Sequence, residues 1–249
     1  MPAPMGTLRL AAVNLDGVLL DDTFSPVIHR LLTAHGVTYT RELERAVLSQ
    51  PRHIAALVLA EAIGSTAGLQ QTIQAYFAER EQYLREHPVR LTDGAIDLVG
   101  RLRGLGLDVV CYGGLGESHF ERHLGAWRSC FTAPGYICTN DFRPGIREIT
   151  RDRFGLDFPQ VLFIDDVAKF AEHARELRVP FLGHPSPFRH GYQRRAMREI
   201  GVRHLVHRLS DIDGALLQTL DREAAQDTVW REESRTFAVV GAERREALA

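Results

Sequence analysis

Two short segments, each at the end of an apolar run, carry the residue types best suited to chemistry in this chain. The first run, Leu8 to Leu20, reads LRLAAVNLDGVLL and contains Asn14 and Asp16. The second, VLFIDD, ends in Asp165 and Asp166. Carboxylates at a strand end can transfer protons, attack a phosphoryl group or hold Mg²⁺. An amide is a negligible nucleophile and a weaker ligand for a hard cation, so the first segment lacks the charge that covalent chemistry needs.

Two segments between them carry groups that can bind an anion. The stretch LDVVCYGG places Tyr112 before Gly113 and Gly114, and a glycine-rich turn before a helix can present backbone amides to an anion. Further along, Arg143 begins the tripeptide RPG, and a guanidinium can bind an oxyanion through two parallel hydrogen bonds. Arg143 and the amides of Gly113 and Gly114 are therefore candidate anion-binding groups.

In this order the four segments resemble the motifs of the haloacid dehalogenase superfamily, in its helical-cap (C1) branch of phosphatases and phosphoglucomutases. The first motif of that family is an apolar strand followed by Asp-x-Asp-Gly. The resemblance implies that Asn14 stands where the family has its nucleophilic Asp, and that Asp16 is the general acid/base. VLFIDD matches the acidic fourth motif closely, with Asp165 and Asp166 at its end.

Four positions depart from the family pattern. Asn14 replaces the nucleophile, Arg143 replaces a Lys, and Phe170 stands where the family often has a second polar anchor. Tyr112 stands in place of a Ser or Thr hydroxyl, where its ring would fill volume that a phosphate needs. An engineered inactivation would explain Asn14 alone, whereas natural divergence accounts for all four. No aspartyl-phosphate can form at Asn14, so we expect a protein that has left conventional phosphatase chemistry.

The resemblance also implies which residues form the site. Asn14, Asp16 and Tyr112 would be the catalytic positions. The side-chain oxygen of Asn14, the carbonyl of Asp16 and a carboxylate of Asp165 or Asp166 would hold Mg²⁺, although weakly, because an amide replaces one carboxylate.

Each segment also has a purely structural explanation. An Asp-Gly pair after an apolar strand is an ordinary turn, and Asp165 and Asp166 are suited to cap a following helix. Arg143 is equally suited to be a solvated residue entering a helix, and Tyr112 to be strand packing with its hydroxyl satisfied at the edge of the site. The occurrence of all four segments in family order favours the functional interpretation.

The composition is that of a globular chain without a polyanionic partner. The 249 residues are 45% hydrophobic and carry a formal net charge of −2. The arginines are scattered along the chain, so we expect no nucleic-acid binding. Lys169 is the only lysine; a Schiff-base role can be considered, but its place early in a helix favours a solvated side chain.

The cysteines and the hydropathy bear on the compartment. Cys111, Cys130 and Cys138 are odd in number and lack Cys-x-x-Cys spacing, which predicts a reduced, cytoplasmic protein. No stretch reaches the roughly 18 apolar residues that a membrane span needs, so we expect no membrane association. The partner we expect is a small anionic molecule; a protein partner or a second copy of the chain is left open.

The pattern along the chain predicts two structural parts and a tail. Residues 21–87 have the periodicity of four amphipathic helices, at the position of the cap in the resembled family. Residues 1–20 and 88–221 alternate short apolar strands with helices, and the last of these strands reads VRHLV. This alternation predicts an α/β core with a doubly wound parallel sheet and a site at the carboxyl ends of its strands. Residues 222–249 are charged apart from one short patch, FAVVGA, which could add an edge strand or meet a partner; a loosely ordered tail is the simpler expectation.

Two further regions are open to interpretation. Residues 184–201 are either a substrate-facing loop and helix or a solvated surface excursion. His204 and His207 are three positions apart in a predicted strand, so their side chains would point to opposite faces and could not share a metal.

Two classes of function remain. The first is an enzyme with altered chemistry, in which Asp16 acts as general acid/base on a small anionic molecule under the cap, held by Arg143 and the amides of Gly113 and Gly114. The second is a binding or scaffold protein that kept the fold and lost catalysis. A Mg²⁺-dependent phosphatase, with Asp16 or a water as substitute nucleophile, is a third.

Overall fold

A single five-stranded sheet forms the centre of the molecule. The computed structural model describes residues 5–66 and 68–230. All pairings between strands are parallel, and the order across the sheet is β3-β2-β1-β4-β5. The strands are β1 Leu10–Asn14, β2 Asp108–Gly113, β3 Tyr136–Cys138, β4 Val161–Asp165 and β5 Phe181–Gly183.

Four helices lie within residues 21–87, where the sequence predicts four. They are α1 Phe24–Ala34, α2 Arg41–Val47, α3 Arg52–Ala62 and α4 Leu69–Glu86. Their apolar sides share a small core of their own, which includes Ile28, Leu32 and Leu59. We call this helical unit the cap.

The remaining helices cover both faces of the sheet. They are α5 Ala95–Gly104, α6 Glu117–Leu124, α7 Ala168–Glu176, α8 Gln193–Ile200 and α9 Gly214–Gln226. Side chains of β1 alternate between two apolar cores: Ala11 and Val13 pack with α5, α6 and α9, whereas Leu10 and Ala12 pack with α7 and α8. A parallel sheet buried on both faces is the doubly wound arrangement that the sequence predicts.

The chain order of the strands produces a crevice at their carboxyl ends. β1 and β4 are neighbours in the sheet. The helix that precedes β2, α5, packs on one face, whereas the helix that follows β4, α7, packs on the other, so the connections leaving β1 and β4 diverge. Ligands of open α/β sheets bind at such a switch point. Asn14 ends β1, Gly113 ends β2 and Asp165 ends β4, so this edge carries the predicted site.

The predicted strand VRHLV does not form. Within the described residues, the segment makes two isolated bridges, between Gly183 and Leu205 and between Val202 and Trp230. The Gly183 amide donates to the His204 carbonyl and the Val206 amide to the Gly183 carbonyl, so pairing is limited to one residue of β5. His204 and His207 therefore do not lie in a strand.

Residues 184–201 join the cap to the core. His184 and Gln193 are buried, and no residue of the segment lines the cavity described below. The Tyr192 amide donates to a carboxylate oxygen of Glu44 in the cap at 2.7 Å. The ring of Phe188 packs against that of Tyr39, with centroids 6.2 Å apart.

The chain remains ordered beyond the predicted start of the tail at residue 222. Helix α9 continues to Gln226, and the Trp230 indole stacks on Phe181 and donates to the Val179 carbonyl at 3.0 Å. The FAVVGA patch lies outside the described residues. Within the described residues, no helix is long and apolar enough to cross a membrane.

Candidate functional site

A cavity lies between the cap and the carboxyl edge of the sheet. Its floor comes from the core and includes five of the predicted site residues, namely Asn14, Asp16, Gly114, Arg143 and Asp166. Its walls come from α1, α3, α4 and the chain before α3. The empty space, counted with its open mouth, is about 970 Å³. Tyr112, Gly113 and Asp165, which belong to the same predicted site, do not line it.

The Asn14 side chain is tied to two oxygens on the cavity floor. Its Nδ2 donates to Asp166 Oδ1 at 2.8 Å and to the Asp16 carbonyl at 2.9 Å. Gly17, with φ of +95°, allows this turn to lie against the acidic strand end, since a Cβ there would be 2.1 Å from Asp166 Oδ2. The side-chain amide of Asn14 thus connects the end of β1 with the end of β4.

The two neighbouring acids at the end of β4 have different surroundings. Asp165 Oδ1 accepts from the Val167 amide at 2.7 Å, and its Oδ2 accepts from the Tyr112 hydroxyl at 2.5 Å. Burial raises the pKa of Asp165 to about 6, although these hydrogen bonds oppose that shift. Burial, and then the nearby Asp165 charge, raise the pKa of Asp166 well above its ordinary range.

Tyr112, one of the predicted catalytic positions, is buried in the core, is bonded to Asp165 and does not line the cavity. Its ring is buried and packs against Phe163 and Phe170, with centroids 5.7 and 5.5 Å away. The ring therefore points into the core and leaves the cavity free. Phe170, the other departure in this part of the family pattern, is its stacking partner. The two departures are thus one packing arrangement.

Asp16 has a partner that the sequence analysis missed. Its Oδ1 lies 2.8 Å from Nε2 of His119, and the two side chains are 9% and 10% exposed. His119 is on the first turn of α6, and the His123 ring lies 4.9 Å away on the next turn. Burial lowers the pKa of His123, and the neighbouring His119 adds to this. The sequence does contain one indication of this contact. Helix α6 begins just after the glycine-rich turn that follows β2, at the same edge of the sheet as Asp16.

Arg143 reaches the floor of the cavity across Gly114. A Cβ on Gly114 would lie 2.2 Å from Arg143 Nη2, so the guanidinium occupies the space that the missing side chain leaves. No hydrogen bond or ion pair within the described residues engages this guanidinium. Gly113, by contrast, is buried in β2 and its carbonyl accepts from the Thr139 amide at 2.8 Å. Of the predicted anion-binding groups, Arg143 and Gly114 are at the cavity.

The predicted Mg²⁺ site does not have the donor set that a cation needs. Mg²⁺ requires oxygen ligands. Asn14 turns its N–H toward the Asp166 oxygen and the Asp16 carbonyl that were expected to be ligands, while both oxygens of Asp165 are bonded within the core. Within residues 5–66 and 68–230, no group of three or more His, Cys, Asp or Glu side chains is placed to hold a metal. As arranged, these residues do not fit Mg²⁺.

The other candidates from the sequence lie away from the cavity. Lys169 is not among its lining residues, so the structure gives no support to a Schiff-base role. His204 Nε2 lies 2.6 Å from Glu223 Oε2, and His207 Nδ1 accepts from Arg194 Nη2 at 2.8 Å. The two histidines have separate partners.

Comparison with known proteins places the chain by its fold. No protein-family model matches the sequence, and no curated protein matches it. Many solved structures do match. A putative beta-phosphoglucomutase from Thermotoga maritima has a TM-score of 0.54 at 17% identity, and the alignment covers 85% of this chain and 99% of that one.

Two further structures have a similar fold. A haloacid dehalogenase-like protein of unknown function from Agrobacterium tumefaciens has a TM-score of 0.60 at 18% identity, covering 86% of this chain and 99% of that one. A HAD hydrolase of family IA, variant 3, from Entamoeba histolytica has a TM-score of 0.64 at 13% identity, covering 86% of this chain and 100% of that one. The chain therefore has the fold of the haloacid dehalogenase superfamily of hydrolases, with a helical cap over the carboxyl edge of its sheet.

Proposed function

We propose that this protein is an acid/base enzyme that acts on a small anionic molecule enclosed between cap and core, and that it is not a conventional phosphatase. The observation that carries the proposal is the contact between Asp16 and His119 at the floor of the cavity. A carboxylate and an imidazole 2.8 Å apart, both almost fully shielded, are suited to hold and move a proton. Asn14, at the place of the family nucleophile, supplies no group that could form a covalent ester.

His119 acts in this proposal as the positioning partner of Asp16. Its ring N–H donates to one carboxylate oxygen, which fixes the orientation of the carboxylate and leaves the other oxygen for a substrate proton. The Asp16 side chain is 9% exposed, so it passes a proton to and from the bound molecule and exchanges that proton with solvent when the site is open. The reaction classes that fit are proton abstraction from a carbon acid and activation of a single bound water.

The anionic character of the ligand rests on two arginines. Arg143 reaches the floor through the gap at Gly114, and Arg52, at the start of α3, also lines the cavity. The Arg52 guanidinium lies over the Phe77 ring, 5.2 Å from its centroid, and its backbone amide donates to Asn140. Two cations in a partly enclosed, largely apolar cavity favour a ligand with negative charge.

The experiment combines binding with proton exchange. A panel of carboxylic acids and phosphate esters is screened by thermal shift, and each hit is then followed by proton NMR in D₂O. We expect wild type to exchange a carbon-bound proton or convert the hit. We expect Asp16→Asn to bind the hit without either reaction, and His119→Gln to react more slowly. His123→Gln, one turn along α6, is the matched control and should react as wild type does.

The same experiment distinguishes the proposed enzyme from a second function, that of a binding protein. If hits bind wild type and Asp16→Asn alike, and neither protein exchanges a proton or converts them, the chain is a binding protein that kept the fold without catalysis. Conversion of phosphate esters by wild type, dependent on added Mg²⁺, would instead support a phosphatase and contradict the proposal.

A further inference from the structure

The side-chain amide of Asn14 lies between two oxygens that the family resemblance assigns to a divalent cation. Its Nδ2 donates to Asp166 Oδ1 at 2.8 Å and to the Asp16 carbonyl at 2.9 Å. We propose that this amide takes the place of the cation, and that the cavity binds a monocarboxylate with an apolar body, without metal. The inference rests on the proposed function in one respect, namely that the cavity holds a small anion.

A cation would have to displace the Asn14 amide to bind. The side chain would need to turn its oxygen toward the metal, and both of its present hydrogen bonds would be lost. Of the two acids at the end of β4, the resulting ligand set would contain only Asp166, because both oxygens of Asp165 are bonded to Val167 and Tyr112. Affinity for hard cations rises with the number of charged ligands, so this set would bind Mg²⁺ weakly.

The charges around the cavity then limit the charge of its ligand. The ionisable residues that line it are three acids, Asp16, Asp22 and Asp166, and two arginines, Arg52 and Arg143. Without a divalent cation, a phosphate monoester, with about two negative charges, would bring excess negative charge close to three carboxyl groups. A carboxylate carries one charge and matches the planar guanidinium of Arg143 through two parallel hydrogen bonds.

The walls of the cavity determine the rest of the ligand. Most of the cap residues that line it are apolar, and they include Ile28, Val47, Leu59, Ile73 and Phe77. An alkyl chain or an aromatic ring bound there would leave water and gain the hydrophobic free energy of burial.

Three hydroxyls interrupt the apolar wall. Ser49, Thr72 and Tyr76 are among the residues that line the cavity; their side-chain oxygens are shielded from water and have no hydrogen-bond partner within the described residues. Thr72 itself is only 3% exposed. Buried polar atoms are almost always paired, so these hydroxyls indicate a place for one polar group within the otherwise apolar body of the ligand.

The test uses two probes with the same apolar body, octanoate and octyl phosphate, each with Mg²⁺ and with EDTA. Binding is measured by isothermal titration calorimetry. For wild type we expect octanoate to bind equally well in both conditions, at least tenfold more tightly than octyl phosphate and than acetate. We expect Arg143→Ala to lose most of the octanoate affinity. Tighter binding of octyl phosphate in Mg²⁺ would overturn the inference.

The role of Asn14 is tested with Asn14→Asp and a matched control. The control, Asn140→Asp, makes the same chemical change at another residue that lines the cavity. We expect Mg²⁺ to raise the Tm of Asn14→Asp, and to leave wild type and Asn140→Asp unchanged. Equal Mg²⁺ affinity of wild type and Asn14→Asp would overturn the inference.

A measurement on wild type keeps the test independent of how the variant folds. Mn²⁺ is titrated into wild type and the free ion is counted by electron paramagnetic resonance; we expect no bound Mn²⁺, and stoichiometric binding would overturn the inference. Failure of both octyl probes in every condition would instead contradict the proposed function, while the metal comparison would still decide the role of Asn14.

Discussion

Asp165 and Asp166 are neighbours in sequence, yet they belong to two different layers of the molecule. Asp166 faces the cavity with Asn14, Asp16 and Arg143, a set we call the cavity layer. Asp165 turns away and is bonded to Tyr112, which belongs with Phe163, Phe170 and Phe181 to a set we call the aromatic layer. A strand alternates its side chains between two faces, so one step along the chain moves a carboxylate from the site into the core.

The difference shows that departures from a family pattern have two kinds of cause. Tyr112 and Phe170 depart together because they stack on each other, so their identities are explained by packing. Asn14 and Arg143 face the cavity, so their identities bear on the chemistry. We therefore expect changes in the aromatic layer to alter stability, and changes in the cavity layer to alter ligand binding.

Removal of the Phe170 ring should give the largest effect. Phe170 is 1% exposed and packs on Tyr112, Phe163 and Phe181. We expect Phe170→Ala to lower the free energy of unfolding by about 3–5 kcal/mol, because it leaves a cavity among aromatic rings. Urea denaturation measures this. Phe77→Ala, in the cap wall and partly exposed, is the control, and an equal loss there would remove the distinction between the layers.

Removal of the Tyr112 hydroxyl should have the next largest effect. Tyr112→Phe leaves Asp165 Oδ2 buried without its 2.5 Å hydrogen bond, and we expect a loss of about 1–3 kcal/mol in the free energy of unfolding. Octanoate affinity should not change, because Tyr112 does not line the cavity. Tyr136→Phe is the comparison: it loses a bond to the neutral Leu115 carbonyl and should lose less. A change in octanoate affinity with unchanged stability would place Tyr112 in the cavity layer after all.

A methyl group at Gly114 should affect binding more than stability. Gly114→Ala would place a carbon 2.2 Å from Arg143 Nη2 and so displace the guanidinium. We expect octanoate affinity to fall by about tenfold, equivalent to roughly 1.4 kcal/mol, as measured by calorimetry. At Gly116 a Cβ meets nothing within 4 Å, so Gly116→Ala is the control. Equal affinities of the two variants would show that Arg143 does not hold the ligand.

The smallest expected effect is on the pH dependence of stability, through a histidine beside the loop that carries Asp16. His184 is buried, and its Nδ1 lies 3.1 Å from the Gly17 carbonyl; burial lowers the pKa of His184 below its ordinary value. As pH falls through that ordinary value, 6.5, the unfolded chain takes up a proton before the folded one does. Stability should therefore fall with decreasing pH, by at most about 1.4 kcal/mol per unit from this group.

The His184 contribution is isolated by substitution. We expect His184→Gln to flatten the dependence of the free energy of unfolding on pH between about 5 and 7. The exposed His53→Gln should leave the slope unchanged. Identical slopes for wild type and His184→Gln would contradict the assignment.

Much of the fold follows from local patterns in the sequence. The apolar strands Leu10–Asn14 and Val161–Asp165, with helices between them, predict a parallel sheet, because strands buried on both faces need apolar residues throughout. The helical periodicity of residues 21–87 predicts the four cap helices. The segment VRHLV shows the limit of such patterns: a short apolar run becomes a strand only where a neighbouring strand offers enough unpaired backbone, and β5 offers one residue.

Less of the site follows from the sequence. Strand ends locate Asn14, Asp16 and Asp166 at one edge, but the contact between His119 and Asp16 depends on how the first turn of α6 is oriented over β1. Sequence spacing carries no information on the orientation of α6, because packing between elements far apart in the chain determines that orientation.

The sequence by itself determined that this chain folds as a parallel α/β core with a helical cap and places acidic residues at the strand ends, since these features depend on local periodicity and on residue type. Only the tertiary structure decided that Asp165 is bonded within the core while Asp166 lines the cavity, that the Tyr112 ring packs in the core, and that the side-chain amide of Asn14 joins two oxygens of the site. Those roles depend on side-chain direction and on neighbours from distant segments, which are defined only when the core has packed.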